Sequence, residues 1–182
     1  MKIPLEHILI FITLISFAIL FSGVYRYWNP NVKTLSQALG NYNQKIYFFI
    51  IVLFVALSCL YTYEIMKNDI VSIQLFSFIA FPLFLLTWIS EDTAYSFRNK
   101  CHISLSIVAF VSTILYILYH GIQAKDPCIL FLFALCLMIL LRLLYLFVKT
   151  YNPNGKPQNL LFEEATVIIL FLLTLLRREK LL

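Results

Sequence analysis

Charged residues are scarce in this sequence: they make up 13% of the chain, whereas apolar residues make up 62%. Soluble domains are roughly half apolar and a quarter charged, so this composition, with a mean hydropathy of +0.88, excludes an ordinary soluble domain. The net charge is +5, but no run of Lys or Arg resembles a nucleic-acid-binding patch. The sequence therefore predicts a polytopic membrane protein whose first partner is the lipid bilayer, with no nucleic-acid partner.

Paired cysteines are also missing. The chain has four cysteines without a C-x-x-C spacing, namely Cys59, Cys101, Cys128 and Cys136. This pattern indicates neither a zinc site nor a disulfide framework. Free cysteines often act as small apolar side chains, and we interpret all four in that way.

Six apolar runs in the chain are long enough for membrane helices. Each has about the ~20 residues that are needed to cross a ~30 Å hydrocarbon core. We predict helices at about 8–25, 46–66, 70–90, 101–121, 127–149 and 160–176, in one all-α transmembrane bundle that covers residues 1–182. The first run is interpreted as a helix and not as a cleaved signal peptide, because it exceeds a normal signal core and no A-x-A site follows it.

Six crossings place both termini on the same side of the membrane. Lys and Arg are divided almost evenly between the two sides, so the positive-inside rule gives only a narrow preference. We expect cytosolic termini because Arg177, Arg178 and Lys180 directly follow the last apolar run. The expected location is the inner membrane of a bacterium.

A polar segment between helices 3 and 4, residues 87–102, holds the densest mixed group of ionisable side chains away from the termini. Its charged or titratable members are Glu91, Asp92, Arg98, Lys100 and His102. A carboxylate that orients an imidazole is a general-base arrangement, so Asp92 and His102 are candidate catalytic residues, with Ser36 of the first loop as a third. In one continuous helix Asp92 and His102 would lie ~15 Å apart, so their contact requires a break between them.

Helix 4 carries a stripe of polar and small residues. Within about 40° of one line on a helical wheel lie His102, Ser106, Ala109, Thr113, Tyr116 and His120. Polar side chains are costly in hydrocarbon and usually face the interior of a bundle. Two interpretations stay open: a helix–helix seam of small and hydrogen-bonding residues, or the wall of a polar pathway.

Arg142 is a charged residue deep within helix 5, about 10 Å from the Lys149 end of that helix. Glu163 and Glu164 begin helix 6 on the same side of the membrane. We predict an ion pair between Arg142 and one of these glutamates, either as a structural clamp or as part of a functional site. The candidate ligand-binding residues are therefore Arg98, Arg142, Glu163 and Glu164.

Three features occur in a suggestive order: a T-L-S-x-x-L-G loop at residues 34–40, an acid after helix 3 at Asp92, and His102 at the start of helix 4. This order resembles a six-helix prokaryotic membrane family known as a domain of unknown function, and the resemblance implies no particular reaction. A more distant similarity is to membrane hydrolases of the alkaline ceramidase and adiponectin-receptor type, whose histidines hold zinc. Here His102 is the one histidine on its side, and zinc sites commonly use two or more His or Cys ligands, so we expect no metal and no cofactor.

Three function classes follow from these features. The first is an interaction or assembly protein that binds other membrane proteins or a lipid ligand and has a polar vestibule on one side. The second is a membrane-embedded enzyme for a lipid or prenyl substrate, with Arg26, Arg98 and Arg142 receiving a phosphate or carboxylate. The third is a small-solute transporter, which ranks last because six helices without an evident inverted repeat are few for a transporter.

Overall fold

The computed structural model describes residues 3–26, 34–35, 44–86, 97–150 and 160–182. These residues form six long α-helices, and no β-strand occurs among them. In chain order the helices are α1 (Leu5–Arg26), α2 (Gln44–Met66), α3 (Ile70–Leu86), α4 (Phe97–Ala124), α5 (Pro127–Thr150) and α6 (Leu161–Arg178). For this part of the chain the predicted all-α class is confirmed.

The largest difference from the predicted boundaries is in α4. We predicted residues 101–121, whereas the helix is Phe97–Ala124. Residues 98–100 are polar, but neither Pro nor Gly interrupts them, so the helix begins before its apolar run. A prediction from apolar length alone misses such polar ends. The end predicted for helix 3 at residue 90 lies outside the described residues, which stop at Leu86.

Two tight turns of the same design connect α2 to α3 and α4 to α5. In each turn a residue with positive φ follows the first helix, Asn68 at 56° and Lys125 at 51°. An aspartate then caps the next helix. Asp69 Oδ1 accepts a backbone N–H of α3 at 3.1 Å, and Asp126 Oδ1 accepts one of α5 at 2.9 Å. These caps satisfy backbone donors that have no partner within the helix.

Each helix packs against the next one along the chain, and α6 also contacts α4 and α1. The two tight turns make the helices that they join antiparallel. We call the bundle end that contains these turns and the end of α6 the terminal end, and the opposite end the loop end. The connections at the loop end are longer, since α1 ends at Arg26 and α2 begins at Gln44.

Three aromatic rings form the centre of the core. Phe76 of α3, Tyr116 of α4 and Phe171 of α6 are all buried. The ring centroids are 4.6 Å apart for Phe76 and Tyr116 and 5.6 Å apart for Tyr116 and Phe171, both in edge-to-face geometry. Ile10 of α1 and Leu57 of α2 belong to the same cluster. The rings fix α6 against α3 and α4, and so position the charged residues at both ends of α6.

Two stretches of the described chain are long and apolar enough to cross a membrane: Phe97–Ala124 and, within α5, Pro127–Leu146. The stretches Leu5–Ile19, Val55–Met66 and Ile70–Leu86 are shorter apolar helices. Large apolar side chains are exposed on the surface of the bundle, among them Phe81 and Val148. These features point to membrane association of the chain. Crossing by all six helices stays a prediction.

Candidate functional site

An ion pair joins α5 to α6 towards the loop end. Arg142 donates from Nε to Oε1 of Glu163, with 2.7 Å between the two atoms. The Glu163 side chain is 4% exposed, whereas that of Arg142 is 68% exposed. The predicted pairing of Arg142 with a glutamate of helix 6 is confirmed, and Glu163 is the partner. Glu163 Oε2 is buried and has no hydrogen-bond partner among the described residues.

Glu164 holds a different part of the chain. Its Oε2 accepts the backbone N–H of Leu35 at 2.6 Å, and Leu35 is buried. The next residue is Ser36, a candidate catalytic residue that lies outside the described residues, as does Asp92. The two adjacent glutamates at the start of α6 thus bind different partners, since Glu163 binds α5 and Glu164 binds the segment after α1.

The polar stripe of α4 faces the interior of the bundle, as the helical wheel predicted. Its buried members are His102, Ala109, Thr113, Tyr116 and His120. Val111, on the other side of the helix, is exposed. Thr113 donates to the carbonyl oxygen of Ala109 at 2.8 Å, which satisfies a buried hydroxyl within its own helix. This geometry favours the helix–helix seam over the wall of a polar pathway.

Arg98 lies exposed in the first turn of α4, as does Lys100. His102, one turn further along the same helix, is buried. Among the described contacts, none joins Arg98 to Arg142 or to Glu163. The structure therefore brings together Arg142 and Glu163, and no described contact extends this pair to Arg98. The predicted contact of His102 with Asp92 falls on a residue outside the described ranges.

A buried charged cluster at the terminal end joins α2, α4 and α6. Arg178 forms a salt bridge with Glu64 of α2 and donates a hydrogen bond to the Tyr116 hydroxyl of α4. Arg178 Nε lies 3.1 Å from Glu179 Oε1, which lies 3.8 Å from Nζ of Lys67. The side chains of Glu64 and Arg178 are 4% and 15% exposed. Below, these five residues are called the Arg178 cluster.

A second polar group lies at the same end, around Ser72 of α3. The Ser72 hydroxyl donates to Asp69 Oδ2 at 2.7 Å and lies 2.9 Å from His120 Nε2. Tyr119 donates to Asp69 Oδ1 at 2.9 Å. Because the single hydroxyl proton of Ser72 is directed to Asp69, His120 Nε2 is the donor to the Ser72 oxygen. We call these four residues the His120 network, which connects the turn before α3 with α3 and α4.

The His120 network contains a hydroxyl, an imidazole and a carboxylate, which are the groups of a serine hydrolase triad. Their order differs from a triad, because the carboxylate of Asp69 accepts a hydrogen bond directly from the hydroxyl of Ser72. His120 is then not the base that removes the hydroxyl proton. Ser72 is also fully buried. The arrangement therefore fits a structural connection between α3 and α4 better than nucleophilic attack.

Hydrogen bonds keep the two turn aspartates ionised. Burial opposes the ionisation of Asp69, but the donors from Ser72 and Tyr119 outweigh it and lower the pKa of Asp69. The pKa of Asp126 is also lowered, chiefly by the hydrogen bond from Arg177, whose Nε lies 2.8 Å from Asp126 Oδ2. Asp126 therefore caps α5 and binds the end of α6 at the same time.

The sequence pattern placed Tyr116 and His120 on the interior stripe but did not predict their polar partners. Arg178 is 62 residues from Tyr116, and Ser72 is 48 residues from His120. Helical periodicity indicates which side of a helix is buried, but not which neighbour it meets. One local feature of the sequence points to the His120 network: Asp69 stands three residues before Ser72, the spacing of a helix cap.

Within the described part of the chain, no group of three or more His, Cys, Asp or Glu residues is positioned to bind a metal ion. No family model, no curated protein and no solved structure matches the chain. The resemblance to the six-helix family therefore stays a prediction.

Proposed function

We propose that this chain is a multi-pass integral membrane protein whose six helices all cross the bilayer and whose role is to bind other membrane proteins or lipids in an assembly. The proposed location is a bacterial inner membrane, with both termini in the cytosol. The shortest described helix, α3, has 17 residues, the lower limit for crossing a core of ~30 Å. The apolar composition and the antiparallel packing support the same arrangement.

The observation that carries the assembly role is an exposed apolar face on α5. Its members are spaced alternately three and four positions apart and are all exposed: Phe131, Ala134, Met138, Leu141, Tyr145 and Val148. One helix packs along another with this spacing. Small residues such as Ala134 also allow membrane helices to approach closely. These six residues, the α5 face, are proposed to receive a helix of a partner protein.

The interior of the bundle supports binding over catalysis. The buried carboxylates of Glu163 and Glu64 are each neutralised by an arginine, Arg142 and Arg178. Each pair has a structural role, because removing one partner would leave a buried charge. The charged groups thus favour a stable scaffold whose binding surface faces outwards.

Cysteine accessibility tests the membrane arrangement. In a variant whose four native cysteines are replaced by Ser, a single Cys is placed at Asn154 or at Lys180. We expect a membrane-impermeant maleimide to label Asn154→Cys in intact cells, and Lys180→Cys after the membrane is opened. Labelling of both positions from one side contradicts a crossing by α6, and the reversed pattern contradicts cytosolic termini.

Photo-cross-linking tests the α5 face. A photoreactive amino acid is placed at Met138, Leu141 or Tyr145 and, as controls of comparable exposure, at Phe78 or Phe81 of α3. We expect a discrete protein adduct from the α5 positions and none from α3. Adducts from neither helix, or equally from both, contradict a specific partner at this face.

A membrane-embedded enzyme that acts on a lipid or prenyl substrate is a second candidate, and the 2.9 Å contact between Ser72 Oγ and His120 Nε2 is the serine–histidine pair with which it can be tested. A fluorophosphonate probe labels serines that a base activates. Labelling that disappears in Ser72→Ala supports this candidate. We expect no labelling, because the Ser72 hydroxyl donates its hydrogen bond to Asp69 and not to His120.

A further inference from the structure

An open apolar groove of about 400 Å³ lies between α5 and α6 at the terminal end. It is lined by Cys128, Phe131 and Leu132 of α5, by Leu173 and Arg177 of α6, and by Leu182. Phe131 also belongs to the α5 face, so the groove continues that face towards the end of the bundle. Its lining is apolar except at Arg177.

The groove has one charged end and one apolar end. Arg177 lies in the last turn of α6, and Leu173 lies one turn, ~5.4 Å, closer to the middle of the bundle. On the other wall, Phe131 and Leu132 lie a turn beyond the start of α5. The groove therefore has a guanidinium at one end and apolar side chains at the other. A phospholipid has the matching order, with its phosphate at one end and its acyl chains at the other.

The charged end of the groove is basic. The Arg177 side chain is 41% exposed; its Nε binds Asp126, and its Nη1 donates to the carbonyl oxygen of Leu182 at 3.1 Å. Lys125, next to Asp126, and Lys180, three positions after Arg177, are both exposed. The acid in this group, Asp126, also serves as the cap of α5. The exposed charges thus complement an anion.

We propose that this groove binds one anionic phospholipid, with an acyl chain along Phe131, Leu132 and Leu173 and the phosphate beside Arg177. This inference rests on the proposed membrane location and names a lipid partner for the assembly. Basic pockets between membrane helices bind anionic head groups. A zwitterionic lipid has the same acyl chains but carries a cation next to its phosphate, so the basic end of the groove discriminates against it.

The test uses a tryptophan in the groove and brominated lipids, which quench tryptophan fluorescence on contact. Trp28 and Trp88 are replaced by Phe, and Phe131→Trp supplies the groove reporter. Phe81→Trp, at an exposed position of α3, supplies the control reporter. Each protein is placed in phosphatidylcholine vesicles that contain dibromo-phosphatidylglycerol or dibromo-phosphatidylcholine at equal mole fraction. We expect dibromo-phosphatidylglycerol to bind at the groove reporter about fivefold better than dibromo-phosphatidylcholine, which is the ratio that one basic residue produces at an anionic surface. At the control reporter we expect this affinity ratio to be near one.

Two substitutions move this ratio in opposite directions. Arg177→Gln removes the cation and brings the ratio to near one, whereas Arg177→Lys restores it, which separates loss of charge from loss of the fold. Asp126→Asn removes the competing acid but keeps the cap, since Asn caps helices as well as Asp, and it raises the ratio. Lys100→Gln removes an exposed charge at the loop end and leaves the ratio unchanged.

Every other outcome overturns the lipid site. A ratio near one at both reporters, with quenching at both, removes the lipid site and leaves the membrane location standing. Equal preference for the anionic lipid at both reporters means that such lipid gathers around the whole protein. Quenching at Phe81→Trp without quenching at Phe131→Trp means that protein, such as a second copy of this chain, covers the groove. Absence of quenching at Phe81→Trp contradicts the membrane location itself.

Discussion

The two ends of the bundle hold their charged residues in different ways. At the terminal end the Arg178 cluster and the His120 network connect α2, α3, α4 and α6 through shared partners. At the loop end the described contacts include two separate pairs, Arg142 with Glu163 and Glu164 with the Leu35 N–H. The terminal end has tight turns, which bring helix ends into direct contact. There, a buried polar group has to be satisfied by a neighbouring helix.

This difference suggests that the two ends contribute unequally to stability. These two groups together hold the ends of four helices, and they therefore resist local opening at the terminal end. At the loop end Arg142 keeps most of its side chain exposed while Glu163 is buried. Substitutions at the terminal end are therefore expected to reduce stability most. Those at the loop end are expected to have smaller effects on stability.

The largest effect is expected for Glu64→Gln. It leaves Arg178 buried with Glu179 as its remaining carboxylate, at a cost of about 3 kcal/mol, the lower end of the range for breaking a buried pair. Lys67→Gln is the control, because Lys67 is more exposed and lies 3.8 Å from Glu179, and we expect about 0–1 kcal/mol for it. Unfolding free energies in detergent or bilayer measure both. Equal effects would mean that burial of the Glu64–Arg178 pair adds nothing to its contribution.

A double-mutant cycle examines the loop end. Arg142→Met leaves Glu163 as a buried unpaired charge and should cost about 1–3 kcal/mol. Adding Glu163→Gln should recover part of this loss, so that the two changes deviate from additivity by more than about 0.5 kcal/mol. Glu164→Gln is the matched control, because its carboxylate binds the Leu35 N–H. The structure predicts additivity for the control, and coupling of Arg142 to Glu164 would contradict the observed pairing.

The pair Ser72→Ala and Ser106→Ala compares a hydroxyl that connects two helices with one that bonds within its own helix. Ser72 connects half-buried Asp69 to buried His120, so its loss leaves both without this contact and should cost about 1–2 kcal/mol. In Ser106→Ala, the control, the lost bond runs to the His102 carbonyl of the same helix, and we expect a change below about 0.5 kcal/mol. Thermal unfolding of the two variants measures both losses of stability. A similar loss in both would mean that the His120 network adds little.

The success of the sequence prediction differs between the two ends for physical reasons. Arg142 and Glu163 lie at similar depths on helices that are neighbours in sequence, so their pairing followed from length and antiparallel order. The wheel likewise placed His102 and Tyr116 inside, because burial follows the helical period. The Arg178 cluster draws on α2, α4 and α6, and no local pattern encodes which of these helices meet.

Arg178 also changes the topological argument. In the sequence it stands with Arg177 and Lys180 as part of a basic group at a membrane end. In the structure its side chain lies against Glu64 and Tyr116, so it connects α6 to α2 and α4 inside the bundle. The exposed basic residues of this segment are Arg177 and Lys180, and they are the ones available to an anionic lipid surface.

The smallest effect is expected from the charge of Asp69 and is seen through its pH dependence. The folded pKa of Asp69 lies below the ordinary 3.8, so ionised Asp69 stabilises the fold at all pH values above that ordinary value, and this contribution is lost as the pH falls through the folded pKa. Asp69→Asn keeps the helix cap but removes the charge. The wild type should exceed this variant by no more than about 1 kcal/mol at neutral pH, since the amide retains part of the hydrogen bonding. The difference should stay constant down to about pH 5 and shrink towards about pH 3.

In a Ser72→Ala background, which removes one of the donors to Asp69, the dependence on pH should become weaker. A difference that grows on acidification would mean that Asp69 takes up a proton in the folded state. The Ser72 hydroxyl would then donate its hydrogen bond to His120 instead of to Asp69.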